Sequence, residues 1–313
     1  MYRGIFAPVP TPFTGESVAW DKFALNAAKW GETPLAGLVV GGSNGEFVLL
    51  EREEKTELVR VARSTLPSSQ LVIAGTSEES TLGTIRLTRA CAEAGADAAL
   101  VLNPYYYKDT YTDAALKHYF LSVAEASPIP VLLYNMPKNT GLSLSVKLVC
   151  ELSKHPNIVG LKDSSGNIVQ IAEIIANTPP EFVTLAGSGS FLLAALAVGA
   201  RGGTMALAVV LPHACVRLLD LFNAGKLDEA RTLQHKLLAP NHAVTARFGA
   251  AGLKAAIELF GFYGGAPRPP LLPLTPAERE QIAAVFASFT SAQAADDARA
   301  QGGEHGGGNR EDN

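Results

Sequence analysis

Residues 129–163 read IPVLLYNMPKNTGLSLSVKLVCELSKHPNIVGLKD. An apolar run at 129–135 gives way to a Pro/Asn/Gly turn. An amphipathic stretch follows over 144–154, and a second apolar run closes on Lys162 and Asp163. Short apolar runs bounded by turn residues are strands buried on both faces, and such strands belong inside a parallel sheet covered by helices. The segment therefore reads as one strand–helix–strand unit.

Working outward, the same unit recurs. Further apolar runs are GIFAPV near residue 4, LAGLVVGG near 35, LVIAGT near 71, DAALVLNP near 97, FVTLAGS near 182 and GGTMALA near 202. Helical spacing covers 51–66, where Leu58, Val61, Ala62 and Leu66 share one face. It also covers 79–94, 113–126, 166–177, 189–198 and 209–224, and Ala94–Asp97 is a tight helix-to-strand joint. Eight strands separated by helices predict an α/β fold, a (β/α)8 TIM barrel over residues 1–225. A doubly wound sheet is the alternative, but no GxGxxG follows any strand. After residue 225 the strand pattern stops. Helices near 226–238, 241–260 and 275–289 predict a C-terminal appendix over 226–290, packed on the barrel. From about Ser291 to Asn313 alanine is the sole hydrophobic residue type, which predicts a disordered tail.

Composition narrows the function classes. The chain has 313 residues, 18% of them charged, and a net charge of -4. No basic stripe exists to track phosphates, so no nucleic-acid partner is expected. No apolar run approaches the roughly 18–20 residues a bilayer crossing needs, so no membrane partner is expected either. Cys91, Cys150 and Cys215 form no CxxC pair, which suits a reducing compartment. The start, MYRGIFAPVPTPF, is too proline-rich for a signal peptide. The cytoplasm is the expected location, and a mitochondrial one would need a transit segment ahead of this sequence. His118, His155, His213, His235 and His242 show no HxH or HxxxH spacing. No metal site is read from them, and nothing calls for a cofactor. His305 in the tail is a lone histidine.

In a barrel of this kind chemistry sits at the C-terminal strand ends. The second strand leads into Ser43, Asn44, Gly45 and Glu46, and the fourth into Asn103 and Tyr105–Tyr107. The fifth ends in Tyr134 and Asn135, the sixth in Lys162, Asp163, Ser164 and Ser165, the seventh in Gly187 and Ser188, and the eighth near Thr204. Lys162 is the anomaly, an ammonium at the end of an apolar strand. Burial should favour its neutral form, and a neutral amine condenses with a ketone to give a Schiff base. The bland alternative is a structural lysine paired with Asp163. Tyr134 has a phenol suited to moving protons, or is a core tyrosine. Glu46 is read as capping backbone N–H groups. The turn Gly41–Gly45 matches GxSxG formally, but a serine hydrolase also needs a well-placed histidine, and His213 falls in a helix.

Taken together, PVPTPF, GSNGEF, NPYYY, YNMPKNTG and GLKDSS resemble the dihydrodipicolinate synthase/N-acetylneuraminate lyase superfamily of pyruvate-dependent class I aldolases. The likeness runs from about Arg3 to Leu274. It implies that Lys162 forms the Schiff base with pyruvate and that Tyr134 relays protons. It implies that Ser43 and Asn44 hold the pyruvate carboxylate and that Tyr106 reaches a neighbouring subunit's site in a homotetramer. Asn139, Ser164, Gly187 and Thr204 join the expected substrate-binding set, and Ser43 and Tyr106 the expected relay. Two departures bear on substrate. Dihydrodipicolinate synthases carry two threonines where this chain has Ser43 and Asn44, and an arginine where it has Asn139. Loss of a guanidinium at a carboxylate site removes roughly 1.5–3 kcal/mol. The pattern SNGEF, YxxPxNTG, KDS and RFGAAGLKAAIELFGFYGG is most similar to 4-hydroxy-2-oxoglutarate aldolases, which release pyruvate and the aldehyde glyoxylate. Dihydrodipicolinate synthases, 2-keto-3-deoxy sugar-acid aldolases, a divalent-metal aldolase and a non-catalytic ligand-binding barrel stay open as alternatives.

Overall fold

The structure, a computed structural model, describes residues 2–303, with side chains for 2–291. Ten strands follow in chain order: β1 Gly4–Pro8, β2 Phe13–Thr14, β3 Ser17–Val18, β4 Gly37–Val40, β5 Leu71–Gly75, β6 Ala98–Leu102, β7 Val131–Asn135, β8 Ile158–Asp163, β9 Val183–Ala186 and β10 Gly202–Thr204. All except β2 and β3 form one closed parallel barrel in the order β1-β10-β9-β8-β7-β6-β5-β4, sealed by β1 pairing with β4. The (β/α)8 barrel read from the sequence is the fold. Its strands are the eight predicted apolar runs, because a strand covered on both faces must be apolar throughout.

The helices follow the amphipathic stretches and start where local chemistry allows. Arg52–Thr65 opens with a capping box between Glu51 and Glu54. Thr81–Glu93 is capped by Ser80, Val146–Leu152 by Ser145 and Ile168–Asn177 by Asn167, each side chain accepting a backbone N–H. The stretch at 209–224 divides at Leu211 into Leu207–Val210 and Pro212–Asn223, with Pro212 at the first turn.

Two elements between β1 and β4 were not anticipated. One is the β2–β3 hairpin, two residues per strand. The other is the helix Trp20–Gly31. Its buried face holds Phe23, Asn26, Ala27 and Trp30, while Leu25 is exposed, so the apolar stripe is blurred. Asn26 is buried because its amide donates to Tyr263 O at 2.7 Å and accepts from Tyr263 N at 2.9 Å.

Beyond the barrel come the helices Leu227–His242, Gly249–Glu258 and Pro276–Gly303, with a π-helical turn at Ala243–Arg247 joining the first two. Of the tail expected from Ser291, residues 304–313 lie outside the described residues. Among the described residues no helix is long and apolar enough to cross a membrane, and no cluster of metal-ligating side chains occurs. The three cysteines are unpaired, and burial pushes the Cys91 and Cys215 thiols up to about 12.

Candidate active site

Strand register creates the central feature. Tyr134 on β7 is the direct partner of Lys162 on β8, and Asn135 is the partner of Asp163. Side chains alternate across a strand, so the two pairs face opposite ways. Tyr134 and Lys162 turn inward, where Tyr134 packs among Phe6, Val39, Ile73, Leu100 and Leu185. Both are buried, and the lysine nitrogen lies over the phenol ring, 4.0 Å from its centre.

Asp163 does not neutralise the lysine. One of its oxygens accepts from Asn135 Nδ2 at 2.7 Å, and the other from the Ser165 N–H at 2.8 Å and the Ser165 hydroxyl at 2.5 Å. The bland reading of Lys162 as Asp163's partner therefore falls. Lys162 is buried at the edge of a cavity, and the productive neighbour beside its amine is the phenol. Burial pushes the Tyr134 phenol up, but the Lys162 charge and the hydroxyls of Ser43 and Ser164 outweigh it, and the pKa ends below the usual tyrosine value. A phenol so placed gives up and takes back a proton readily.

Around this pair lies a cavity of about 660 Å³, lined by Ser43, Asn44, Asn139, Ser164, Gly187 and Thr204 among others. Every substrate-binding residue expected from the sequence is in that set. Ser43 and Asn44 sit in the 3-10 turn Ser43–Gly45, right after β4. Three bonds fix this turn. Asn44 Nδ2 donates to Pro8 O at 3.1 Å, Thr11 Oγ1 donates to Gly45 O at 2.8 Å, and the Arg268 N–H donates to Glu46 Oε2 at 2.8 Å. Glu46 thus caps a backbone N–H as read, and its other oxygen pairs with Lys254 Nζ at 2.5 Å. Both side chains of that pair are 1% exposed. Gly187 is required by space, because a Cβ there would stand 1.9 Å from Ser164 Oγ and 2.7 Å from Asp163 O.

Tyr106 is not brought to this cavity within one chain. It is 75% exposed and packs edge-to-face on Tyr107, with ring centres 5.0 Å apart. His213 lines a different cavity with Val210 and Phe289, so it does not serve a hydrolase centred on Ser43.

The far wall was missed. Ser190 and Phe191 of the β9 loop, and Leu238, Asn241, His242, Thr245, Gly249 and Ala250 of the C-terminal helices, also line the cavity. The one local signal was Pro240 inside a helix. Lys138, Lys162 and His242 are the basic groups of the lining, and no acidic side chain is among its described residues. The arrangement can form an imine, move a proton beside it and draw in an anion.

A closed barrel with a buried lysine against a phenol suits a Schiff-base lyase. A family model described as "Dihydrodipicolinate synthetase family" matches residues 1–288, and the chain belongs to that family. It is 39% identical over 286 residues to a probable mitochondrial 4-hydroxy-2-oxoglutarate aldolase of Emericella nidulans, covering 90% of this chain and 92% of that protein. It is 36% identical over 293 residues to a 4-hydroxy-tetrahydrodipicolinate synthase of an Exiguobacterium species, covering 92% of this chain and 98% of that protein. A solved dihydrodipicolinate synthase of Bacillus anthracis superposes with a TM-score of 0.88 at 31% identity, covering 92% of this chain and 98% of that one. The protein is an enzyme, a class I pyruvate-dependent aldolase.

Proposed function

We propose that the enzyme cleaves 4-hydroxy-2-oxoglutarate to pyruvate and glyoxylate. The observation that carries this reading is a cavity with two lysines, one of them against a phenol, and no acidic group among its described lining residues. Such a cavity favours a substrate with two carboxylates. Lys162 Nζ attacks the 2-oxo carbon, water leaves, and an iminium forms. Tyr134 takes the 4-hydroxyl proton, helped by Ser43 and Ser164. The C3–C4 electron pair moves into the iminium as the enamine, and glyoxylate departs with the new carbonyl. Protonation at C3 and hydrolysis release pyruvate and restore the amine. Ser43 and Asn44 hold the first carboxylate, with Gly187 and Thr204 shaping the cavity around it.

A 4-hydroxy-tetrahydrodipicolinate synthase is the second reading, supported by similarity to the Exiguobacterium relative. Asn139 weighs against it, since a neutral amide stands where those enzymes carry an arginine. We place the enzyme in the cytoplasm as a homotetramer in which Tyr106 completes a neighbour's site. Tyr106 and Tyr107 stack edge-to-face and are both exposed, large apolar rings of the kind a second copy covers.

The test is chemical. Protein mixed with pyruvate and reduced with borohydride should gain one reduced pyruvate on the Lys162 peptide. Side-by-side assays should give pyruvate from 4-hydroxy-2-oxoglutarate and no condensation with aspartate semialdehyde. Absence of the adduct removes the mechanism. The reverse assay pattern removes the substrate, and activity lost to EDTA would favour a metal aldolase.

A further inference from the structure

Asn241 is a buried amide on a helix outside the barrel, and both of its polar ends are used. Its Oδ1 accepts from the Gly189 N–H at 3.2 Å, and its Nδ2 donates to Ser188 Oγ at 3.1 Å. A backbone N–H can only donate, so the oxygen of this amide must face Gly189 and the NH2 must face Ser188. Gln234, on the same helix, fixes the loop from its other side. Its Nε2 donates to Gly189 O at 2.8 Å, and its Oε1 accepts from the Leu193 N–H at 3.0 Å. The loop comes this close because residue 189 lacks a Cβ, which would stand 3.0 Å from Asn241 Oδ1.

The orientation propagates. Ser188 Oγ receives the Asn241 amide and also the Ser190 N–H at 3.3 Å, so both of its lone pairs are engaged. Its own hydrogen is left for Ser190 Oγ, 3.0 Å away. Ser190 Oγ then accepts from Ser188 and turns its hydrogen outward, at an exposed position on the cavity wall. The hydroxyls thus run one way, from Asn241 through Ser188 to Ser190, and end as a donor.

We propose that Ser190 binds the distal carboxylate of the substrate and that Asn241 is the positioning residue that makes it a donor. This rests on the reading of the substrate as a 4-hydroxy-2-oxo diacid. It explains how that carboxylate is recognised when Asn139 supplies no guanidinium. Asn241 acts through the two serines, its own amide being taken up by Gly189 and Ser188.

The test compares 4-hydroxy-2-oxoglutarate with 4-hydroxy-2-oxopentanoate, which carries a methyl in place of the distal carboxylate. Asn241→Asp keeps the shape but replaces the donor with an acceptor. The ratio of kcat/KM for the diacid over the monoacid should fall about 10- to 100-fold, the size of one charge-assisted bond. Ser190→Ala, a change at an exposed position, should lower the same ratio, mainly through KM for the diacid. Borohydride trapping of pyruvate on each variant reports that the lysine site is folded. A merely structural role would depress both substrates together. Trapping intact with the ratio unchanged in both variants overturns the proposal and leaves the substrate reading standing. Should Asn241→Asp fail to fold, Ser190→Ala alone decides. Wild type that traps pyruvate but does not cleave the diacid overturns the substrate reading, and this proposal with it.

Discussion

Tyr134 and Lys162 are register partners on neighbouring strands, and the amine rests on the face of the aromatic ring 4.0 Å from its centre. The proposed nucleophile and its proton carrier are therefore spaced by the sheet itself. No loop has to close to bring them together.

Replacing Tyr134 with Phe keeps the ring under the amine and removes the hydroxyl. We expect kcat to fall about 10²- to 10⁴-fold, the usual worth of positioned proton transfer. The borohydride adduct with pyruvate should still form on Lys162, more slowly. Lys162→Ala should abolish the adduct altogether, as mass spectrometry of the peptide will show.

The pH profile should carry the phenol's signature. Tyr134 is held below the usual tyrosine value, because the Lys162 charge and the Ser43 and Ser164 hydroxyls overcome the effect of burial. Its deprotonated form therefore gains population at lower pH than a free tyrosine would. Activity that needs the basic phenol should rise with pH through a limb lying below 10, and the limb should vanish in Tyr134→Phe. Folding follows the same sign. A depressed pKa adds stability above the unfolded value, and that stability is lost as pH falls through the folded one.

Lys254→Met should destabilise strongly, by about 3–5 kcal/mol, because it strands the Glu46 carboxylate in the interior. The double change Lys254→Met with Glu46→Gln should recover much of that loss, since Gln still accepts the Arg268 N–H. Urea unfolding measures both. If the single and double variants unfold alike, the pair does not act as a unit.

Gly187→Ala puts a carbon where Ser164 Oγ already stands. The β9 loop must shift, at a cost of about 1–3 kcal/mol in stability. KM for the 2-oxo acid should rise as Ser164 is displaced, which a steady-state assay on purified protein will register.

The barrel was legible because its strands are covered on both faces and so read as unbroken apolar runs. Lys162 was legible for the complementary reason, as a charge ending such a run. Trp20–Gly31 was not, because Asn26 faces in and Leu25 faces out. The outer wall was not legible either. Asn241 and Gln234 lie within a helix pattern that says nothing about which loop it meets, and their partners Gly189 and Leu193 stand some fifty and forty positions earlier in the chain. Such docking is set by tertiary geometry, which no local period records.

The lysine and phenol are carried by barrel strands, while the far wall of the cavity is carried by helices appended after them, which hold the 188–193 loop through Gln234 and Asn241 and the Ser43–Gly45 turn through the Lys254–Glu46 pair. Grafting 227–250 from a relative, together with the matching 188–193 loop and with Gly187 and Lys254 kept, should exchange substrate choice while the Lys162 pocket is retained. For an engineer this enzyme is a chassis with an interchangeable lid.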